Sequence, residues 1–243
     1  MAQKIIKNSD GTLSVPDFPI IPFIEGDGIG PDIWRATENV INKAVYHAFG
    51  GRRKIQWLEL PVGEKGFQET GEWLPDAALE TIRSHVVAIK GPLTTPVGKG
   101  IRSLNVTIRQ KLDLYACVRP VRYIHPVPSP VRNPEKIDMV VFRENTEDVY
   151  AGIEWPSGSD EANRLIAFIR DEMGAHIPDN AGIGIKPMSP ENSKRLVASA
   201  IAHALENGLS NVTLMHKGNI MKFTEGAFAK WGYEVAKEKF ADQ

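Results

Sequence analysis

An apolar run, Phe18-Pro-Ile-Ile-Pro-Phe-Ile24, passes directly into Glu25-Gly-Asp-Gly-Ile-Gly-Pro31 and then into a helical stretch over 32–48. Strand, glycine loop and helix in that order constrain the chain more than any other feature, because they open an α/β domain. The prolines inside the run predict an edge position or irregular pairing for this strand. On the helix, Ile33, Ala36, Val40, Ile41 and Ala44 share a face that is expected to be buried.

The pattern repeats. Lys54-Ile-Gln-Trp-Leu-Glu-Leu60 alternates as a strand does, and 76–84 reads as a short helix with a proline–aspartate cap. His85-Val-Val-Ala-Ile-Lys90 is expected to be a buried strand, followed by a loop over 91–100. Residues 103–118 read as the next helix, with Leu104, Ile108, Leu112 and Tyr115 inward, stopped by Arg119-Pro120. Beyond Pro120 the character changes. Strands are expected at 118–124 and 137–142 around a proline-rich loop at 125–134. A helix at 160–173 and a strand at 182–186 follow. The Ser189-Pro-Glu191 start predicts a helix running to 207. A strand at 211–215 and a helix at 224–240, with Phe228, Trp231 and Val235 inward, complete the series. There is no internal repeat and no low-complexity tract.

With 243 residues, 42% apolar and 24% charged, the chain is an ordinary globular sequence, long enough for one large domain or two small ones. Its net charge of −1 gives no general attraction to nucleic acid or to an acidic membrane, so any basic function must be local. Residues 1–9 lack the apolar core of a secretory signal, and no apolar run approaches the ~20 residues a membrane helix needs. The one cysteine, Cys117, cannot staple a fold. It is expected to fill core space in a helix, and a cytoplasmic location follows.

Several residues could carry chemistry. Glycines after a strand let a backbone approach phosphate, yet the spacing in 26–30 is G-x-G-x-G, so a plain tight turn remains an alternative. Asn105 and Arg109 are four apart on one helical face, with Ser103 at the helix start, where an anion is favoured. The alternative is a capping serine before a solvated polar face. Arg119 and Arg143 lie at strand ends, and their planar forks suit carboxylates. They could equally pair with Asp113 or Glu144. Tyr150 and Lys217 normally titrate near ~10. Only a cation-rich or desolvated pocket would make either an acid–base catalyst at neutral pH. Otherwise they are a core-edge tyrosine and a surface lysine.

Together these segments resemble the β-decarboxylating dehydrogenases, and among them the bacterial NADP-dependent isocitrate dehydrogenases. The resemblance runs from 18 to 240. It is carried by Glu25-Gly-Asp-Gly-Ile-Gly-Pro31, Lys90-Gly-Pro-Leu-Thr-Thr-Pro-Val-Gly98, Ile101-Arg-Ser-Leu-Asn-Val106, Phe142-Arg-Glu-Asn-Thr-Glu-Asp148 and Val149-Tyr-Ala-Gly-Ile-Glu-Trp155. Gly182-Ile-Gly-Ile-Lys-Pro187 and His216-Lys-Gly-Asn-Ile-Met-Lys-Phe-Thr-Glu-Gly226 add to it.

The resemblance implies the α/β fold of the isocitrate/isopropylmalate dehydrogenases. A large domain with a parallel-rich sheet would begin with 1–114, a smaller α/β domain would take 115–147 and 190–243, and a dimerising clasp would take 148–189. It implies oxidative decarboxylation of isocitrate with NADP, as in the tricarboxylic acid cycle, by a homodimer that binds neither nucleic acid nor membrane. Ser103, Asn105, Arg109, Arg119 and Arg143 would bind the substrate, and Thr94 would contact the cofactor. Lys217 would help deprotonate the C2 alcohol, usually in the neighbouring subunit's site, and Tyr150 would return a proton to C3. Ser103 matches a serine phosphorylated in some bacterial members, where phosphate would repel the substrate's carboxylates. The polar pair Ser103/Asn105 favours a third carboxylate over an isopropyl group, which leaves isopropylmalate or homoisocitrate oxidation as the alternative reaction. The aspartates that hold Mg2+ or Mn2+, and the segment that grips the adenosine, have no counterpart in these residues. By themselves the 243 residues are therefore expected to be inactive, an alternative being a non-catalytic product.

Overall fold

The computed structural model describes residues 1–94 and 103–243. The later part of the loop expected over 91–100, and Ile101-Arg102 of the resembling stretch, lie outside the described residues. The chain divides into two units, Met1–Leu112 and Asp113–Gln243.

The first unit begins with β1 (Gln3–Lys4), β2 (Ile6–Lys7) and β3 (Leu13–Ser14), the latter two paired antiparallel. β4 (Pro19–Ile24) is the centre of a parallel sheet, pairing with β5 (Gln56–Glu59), with β1 and with β6 (Ile89–Lys90). Of the two expectations for β4, the edge position is not met, but the irregular pairing is: one of its sides is shared between β1 and β6. The prolines are tolerated because backbone direction alternates along a strand. Phe23 O accepts from Leu60 N beyond β5, whereas Ile24 O accepts from Gly91 N beyond β6. Pro22 therefore faces the β1/β6 side, between the stretches paired to β1 and to β6, where no ladder donor is needed.

Helix α1 (Gly30–Phe49) follows β4, with Pro31 in its first turn, where a missing N–H costs nothing. Its inward face differs from the one the apolar spacing predicts. Ile33 and Val40 are exposed, as are Ala36 and Ala44, and Ile41 is half-buried. Trp34 is buried instead. It stacks on Phe23 of β4 at 3.9 Å between centroids and meets Trp57 of β5 edge-on at 5.0 Å. One large indole sets the helix's rotation more strongly than several small aliphatic groups, because aromatic rings bury the most area per residue.

Helices α2 (Glu64–Thr70) and α3 (Asp76–His85) come next. The cap of α3 is Pro75 and makes no side-chain bond, and Asp76 instead pairs with Lys111 at 2.8 Å. The strand expected over 85–90 shrinks to β6. Val86 adopts φ +67° and is exposed, and this kink postpones the strand. Helix α4 (Leu104–Lys111) buries Leu104 and Ile108. They join Ile24, Leu60, Val62, Ala78, Leu79 and Leu93 in the core of this unit, with Leu112 packed against it.

The helix expected through 118 ends seven residues early. Asp113, at φ +48°, turns the chain, and β7 (Ala116–Arg122) begins. Tyr115 is therefore not on a helix, Cys117 lies in a strand, and Arg119-Pro120 is mid-strand. β7 pairs antiparallel with β8 (Asp138–Glu144) along its whole length. A two-strand ribbon leaves every second donor facing outward, which is why Pro120 can sit within it.

After β8 come a 3-10 turn (Asp148–Ala151), β9 (Ile153–Trp155), α5 (Asp160–Met173) and β10 (Ile183–Ile185), with β9 and β10 antiparallel. Helix α6 (Pro190–Glu206) is capped by Ser189, whose hydroxyl accepts from Asn192 N, as its sequence predicts. It packs on α7 (Glu225–Phe240), where Val235 is fully buried. The strand expected over 211–215 does not form a ladder. That segment instead lines one wall of an apolar groove of about 480 Å³, whose other walls are β8 and α6.

Candidate active site

In the first unit the glycine loop folds back onto the segment after β6. Asp27 N donates to Pro92 O at 2.7 Å. Gly26, at φ +93°, is required here because a Cβ would stand 2.3 Å from that same carbonyl. The Asp27 carboxylate is buried and accepts two backbone N–H groups, from Glu64 at 2.8 Å and from Thr94 at 2.7 Å. Thr94 itself is exposed.

The start of α4 adjoins this loop. Asn105 Nδ2 reaches Leu93 O at 3.4 Å. Ser103 occupies the cap position of α4, yet its hydroxyl makes no capping bond; its carbonyl accepts both Thr107 N and Thr107 Oγ1. The simple capping role is therefore not the one Ser103 plays. Arg109 lies one turn beyond Asn105 and is half-buried. It is close enough to Lys90 to act on its charge. Desolvation of the ammonium, and then the Arg109 guanidinium, push the Lys90 pKa below its ordinary value, against the pull of Asp27. Lys90 Nζ donates to Gly91 O at 2.6 Å. Ser103, Asn105, Arg109 and Thr94 thus belong to one neighbourhood of loop and helix start, to which Lys90 and Asp27 must be added.

In the second unit, Arg119 pairs across from Val141, and Arg143 across from Cys117. Residues 117 and 119 share a face of β7, and 141 and 143 share a face of β8. The register therefore places both arginines on one face of the ribbon as diagonal neighbours. The acids that could have neutralised them are engaged elsewhere. Asp113 forms a two-bond pair with Arg195 at 2.8 and 2.9 Å. Oε1 of Glu144 accepts from the backbone N–H groups of Asn145, Thr146 and Glu147 and from the Thr146 hydroxyl, at 2.7–3.0 Å. That bond set closes the turn after β8.

Tyr150 comes to the same place. The Arg143 Cζ lies over its ring, 4.5 Å from the centroid, and Arg143 Nη2 donates to the buried Asn145. Arg143 Nε is buried without a hydrogen-bond partner. The turn bearing Tyr150 is tied down through Lys186, which pairs with Asp148 at 3.2 Å and with Glu225 at the start of α7. Asp148 N also donates to Pro187 O, and Ser189 N to Glu147 Oε2. Arg119, Arg143 and Tyr150 are thus assembled within one unit. Lys217 is exposed, directly before the turn over 218–220, beside a Gly218 N–H that donates to His216 Nδ1.

Sequence spacing does not single out Asp27 or Lys90. The first is one letter of a glycine motif and the second ends a short strand. The available signal is that both belong to the two loops that also hold the glycines and Thr94. Among the described residues, no group of three or more His, Cys, Asp or Glu side chains could hold a metal ion. The donors assembled here are guanidinium, amide, hydroxyl and phenol, which suit an anion and do not fit a divalent cation.

Residues 20–242 match the family model of isocitrate/isopropylmalate dehydrogenase. A Staphylococcus epidermidis protein named isocitrate dehydrogenase [NADP] is 57% identical over 100% of the chain, which spans 58% of that relative. A Streptococcus salivarius protein of the same name is 58% identical, again over 100% of the chain and 63% of the relative. Among solved structures, isocitrate dehydrogenase from Methylococcus capsulatus is 38% identical with a TM-score of 0.73, covering 90% of this chain and 57% of that one. The Thermus thermophilus protein TT0538 is 34% identical at the same TM-score, covering 96% and 42%. The chain thus spans about three-fifths of the curated relatives it matches. With matched positions running through both units, and a parallel sheet and arginine-bearing ribbon in place, the chain belongs to the isocitrate/isopropylmalate dehydrogenase family.

Proposed function

We propose that this chain contributes the substrate-binding and proton-transfer residues of an enzyme that oxidises and decarboxylates isocitrate to 2-oxoglutarate with NADP+. The observation that carries the reading is the pairing of Arg119 and Arg143 on one ribbon face, with Tyr150 against the second guanidinium and both nearby acids committed elsewhere. The names of the relatives supply the substrate and cofactor.

In this mechanism Arg119 and Arg143 hold carboxylates of isocitrate by paired charge-assisted bonds. Ser103, Asn105 and Arg109 bind its remaining carboxylate and hydroxyl region. Thr94 would contact NADP+, whose nicotinamide would supply the hydride acceptor. Lys217 assists removal of the C2 hydroxyl proton, serving the neighbouring subunit of a homodimer through the clasp at 148–189. Tyr150 donates the proton that C3 takes up after CO2 departs. Mg2+ or Mn2+ would supply stabilisation of negative charge on the substrate, but among the described residues no group of three or more His, Cys, Asp or Glu side chains would hold such an ion. We place the protein in the cytoplasm; among the described residues no helix is long and apolar enough to cross a membrane.

The test is a comparison of NADPH formation by the protein purified from its host, with isocitrate, isopropylmalate and homoisocitrate offered in turn. Isocitrate is expected to give the highest kcat/KM, and preference for either of the others would overturn the assignment. In the same assay Arg109→Ala is expected to lower kcat/KM for isocitrate between about tenfold and about a hundredfold, chiefly through KM.

A further inference from the structure

The Pro92–Thr94 segment is pinched by a single residue of the glycine loop. The backbone N–H of Asp27 donates to Pro92 O at 2.7 Å, and two residues later Thr94 N donates to Asp27 Oδ2 at 2.7 Å. The other carboxylate oxygen, Oδ1, accepts from Glu64 N at 2.8 Å. One buried side chain thereby joins three segments that are distant in sequence: the loop before α1, the start of α2 and the loop after β6.

A carboxylate that is 6% exposed is stable only when its oxygens are hydrogen-bonded, and here main-chain donors meet both. The surroundings are shaped around it. Gly63 has φ +85°, and a Cβ there would lie 2.5 Å from Asp27 Oδ1, so the position admits no side chain. From the far side Asn105 Nδ2 holds Leu93 O, so Pro92, Leu93 and Thr94 each have a backbone group engaged. Thr94 nevertheless remains exposed. Its backbone is fixed while its side chain is offered outward, which is the condition for orienting a ligand at low entropic cost.

We infer that Asp27 is a positioning residue, whose carboxylate holds the Thr94 backbone so that its hydroxyl meets the nucleotide cofactor. The inference rests on the proposed cofactor role of Thr94. In this role Asp27 acts through the Thr94 N–H, which donates to its carboxylate. An amide side chain cannot replace it: Asn presents one acceptor, and its NH2 would face a backbone donor.

The test uses the protein purified from its host, with NADP+ and isocitrate as probes. Asp27→Asn is expected to raise KM for NADP+ by about tenfold, corresponding to one lost charge-assisted bond, with smaller changes in KM for isocitrate and in kcat. Thr94→Val, which keeps the backbone N–H, is expected to raise KM for NADP+ as well. If Thr94→Val does so while Asp27→Asn lowers only the melting temperature, the positioning role is refuted and the cofactor reading survives. If Thr94→Val leaves KM for NADP+ unchanged, the cofactor reading falls and the inference falls with it. Should Asp27→Asn fail to fold, amide exchange in the unsubstituted protein decides. A Thr94 amide as protected as Leu60, and slowed further by NADP+, sustains the inference; exchange at the rate of an open loop overturns it.

Discussion

The guanidinium carbon of Arg143 sits over the ring of Tyr150, with Cζ 4.5 Å from the ring centroid. A cation held over a phenol is attracted by the ring's negative face. In the proposed mechanism the ring and the hydroxyl have separable tasks: the ring braces the arginine, and the hydroxyl would move a proton. Tyr150→Phe keeps the first and removes the second. Its kcat is expected to fall by about a hundredfold or more, the usual worth of a general acid, with a melting temperature close to that of the unsubstituted protein. Steady-state turnover and thermal unfolding check this together. Undiminished turnover would remove Tyr150 from the proton path.

Ser103 heads α4 without capping it, since its hydroxyl bonds no N–H of the first turn. An ordinary capping serine costs about 1 kcal/mol when replaced by alanine. Ser103→Ala is expected to cost less than about 0.5 kcal/mol by urea denaturation. Ser103→Glu is expected to raise KM for isocitrate by at least about tenfold, because at the proposed substrate site a carboxylate there would repel those of the substrate. A full capping loss in the alanine variant would contradict the geometry.

The rotation of α1 can be read from stability alone. Trp34→Ala removes the ring stacked on Phe23 and is expected to destabilise the protein by about 3–5 kcal/mol. Val40→Ser changes an exposed position and is expected to stay within about 0.5 kcal/mol. Chemical denaturation of the two variants would reverse this order if the apolar spacing, rather than the indole, chose the buried face.

Lys186 ties the Tyr150 turn to α7, and its charge leaves a signature in pH. The Lys186 hydrogen bond is the main reason the Glu225 carboxyl lies below its ordinary 4.5. Burial pulls the Lys186 pKa down, but its bonds to Glu225 and Asp148 outweigh this and raise it above 10.5. A depressed acid stabilises the fold above its unfolded pKa and loses that contribution as pH falls through the folded value. A raised lysine contributes below its unfolded pKa and loses the contribution as pH rises through the folded value. Lys186→Met is therefore expected to melt below the unsubstituted protein across neutral pH, with the gap closing in acid below 4.5 and in base above 10.5. Melting curves collected across that range would show no such closure if the pair were unimportant.

Elements bounded by strong local chemistry were legible in the sequence. The Ser189-Pro-Glu191 start of α6 and the Leu104/Ile108 face of α4 follow from spacing and capping alone. The misjudged places are those where one residue overrules a pattern. Asp113 and Val86, both at positive φ, end or delay elements that periodicity would continue. The segment 211–215 has the composition of a strand but has no ladder neighbour among the described residues, which is a tertiary property no local pattern reports. Arg119 and Arg143 could be nominated individually. That they share a face depends on the register of β7 and β8, which only the pairing reveals. Asp27 is hardest to foresee, because its partners Glu64 and Thr94 lie 37 and 67 positions away.

Glu144 directly follows Arg143, yet one of its oxygens is wholly occupied in closing the turn behind it. In the proposed isocitrate site, selection among small acids would work by penalty as much as by attraction. A molecule with one carboxylate too few would leave a guanidinium without a counter-charge, and such a vacancy would reject near-misses more sharply than a shape-fitting cleft can.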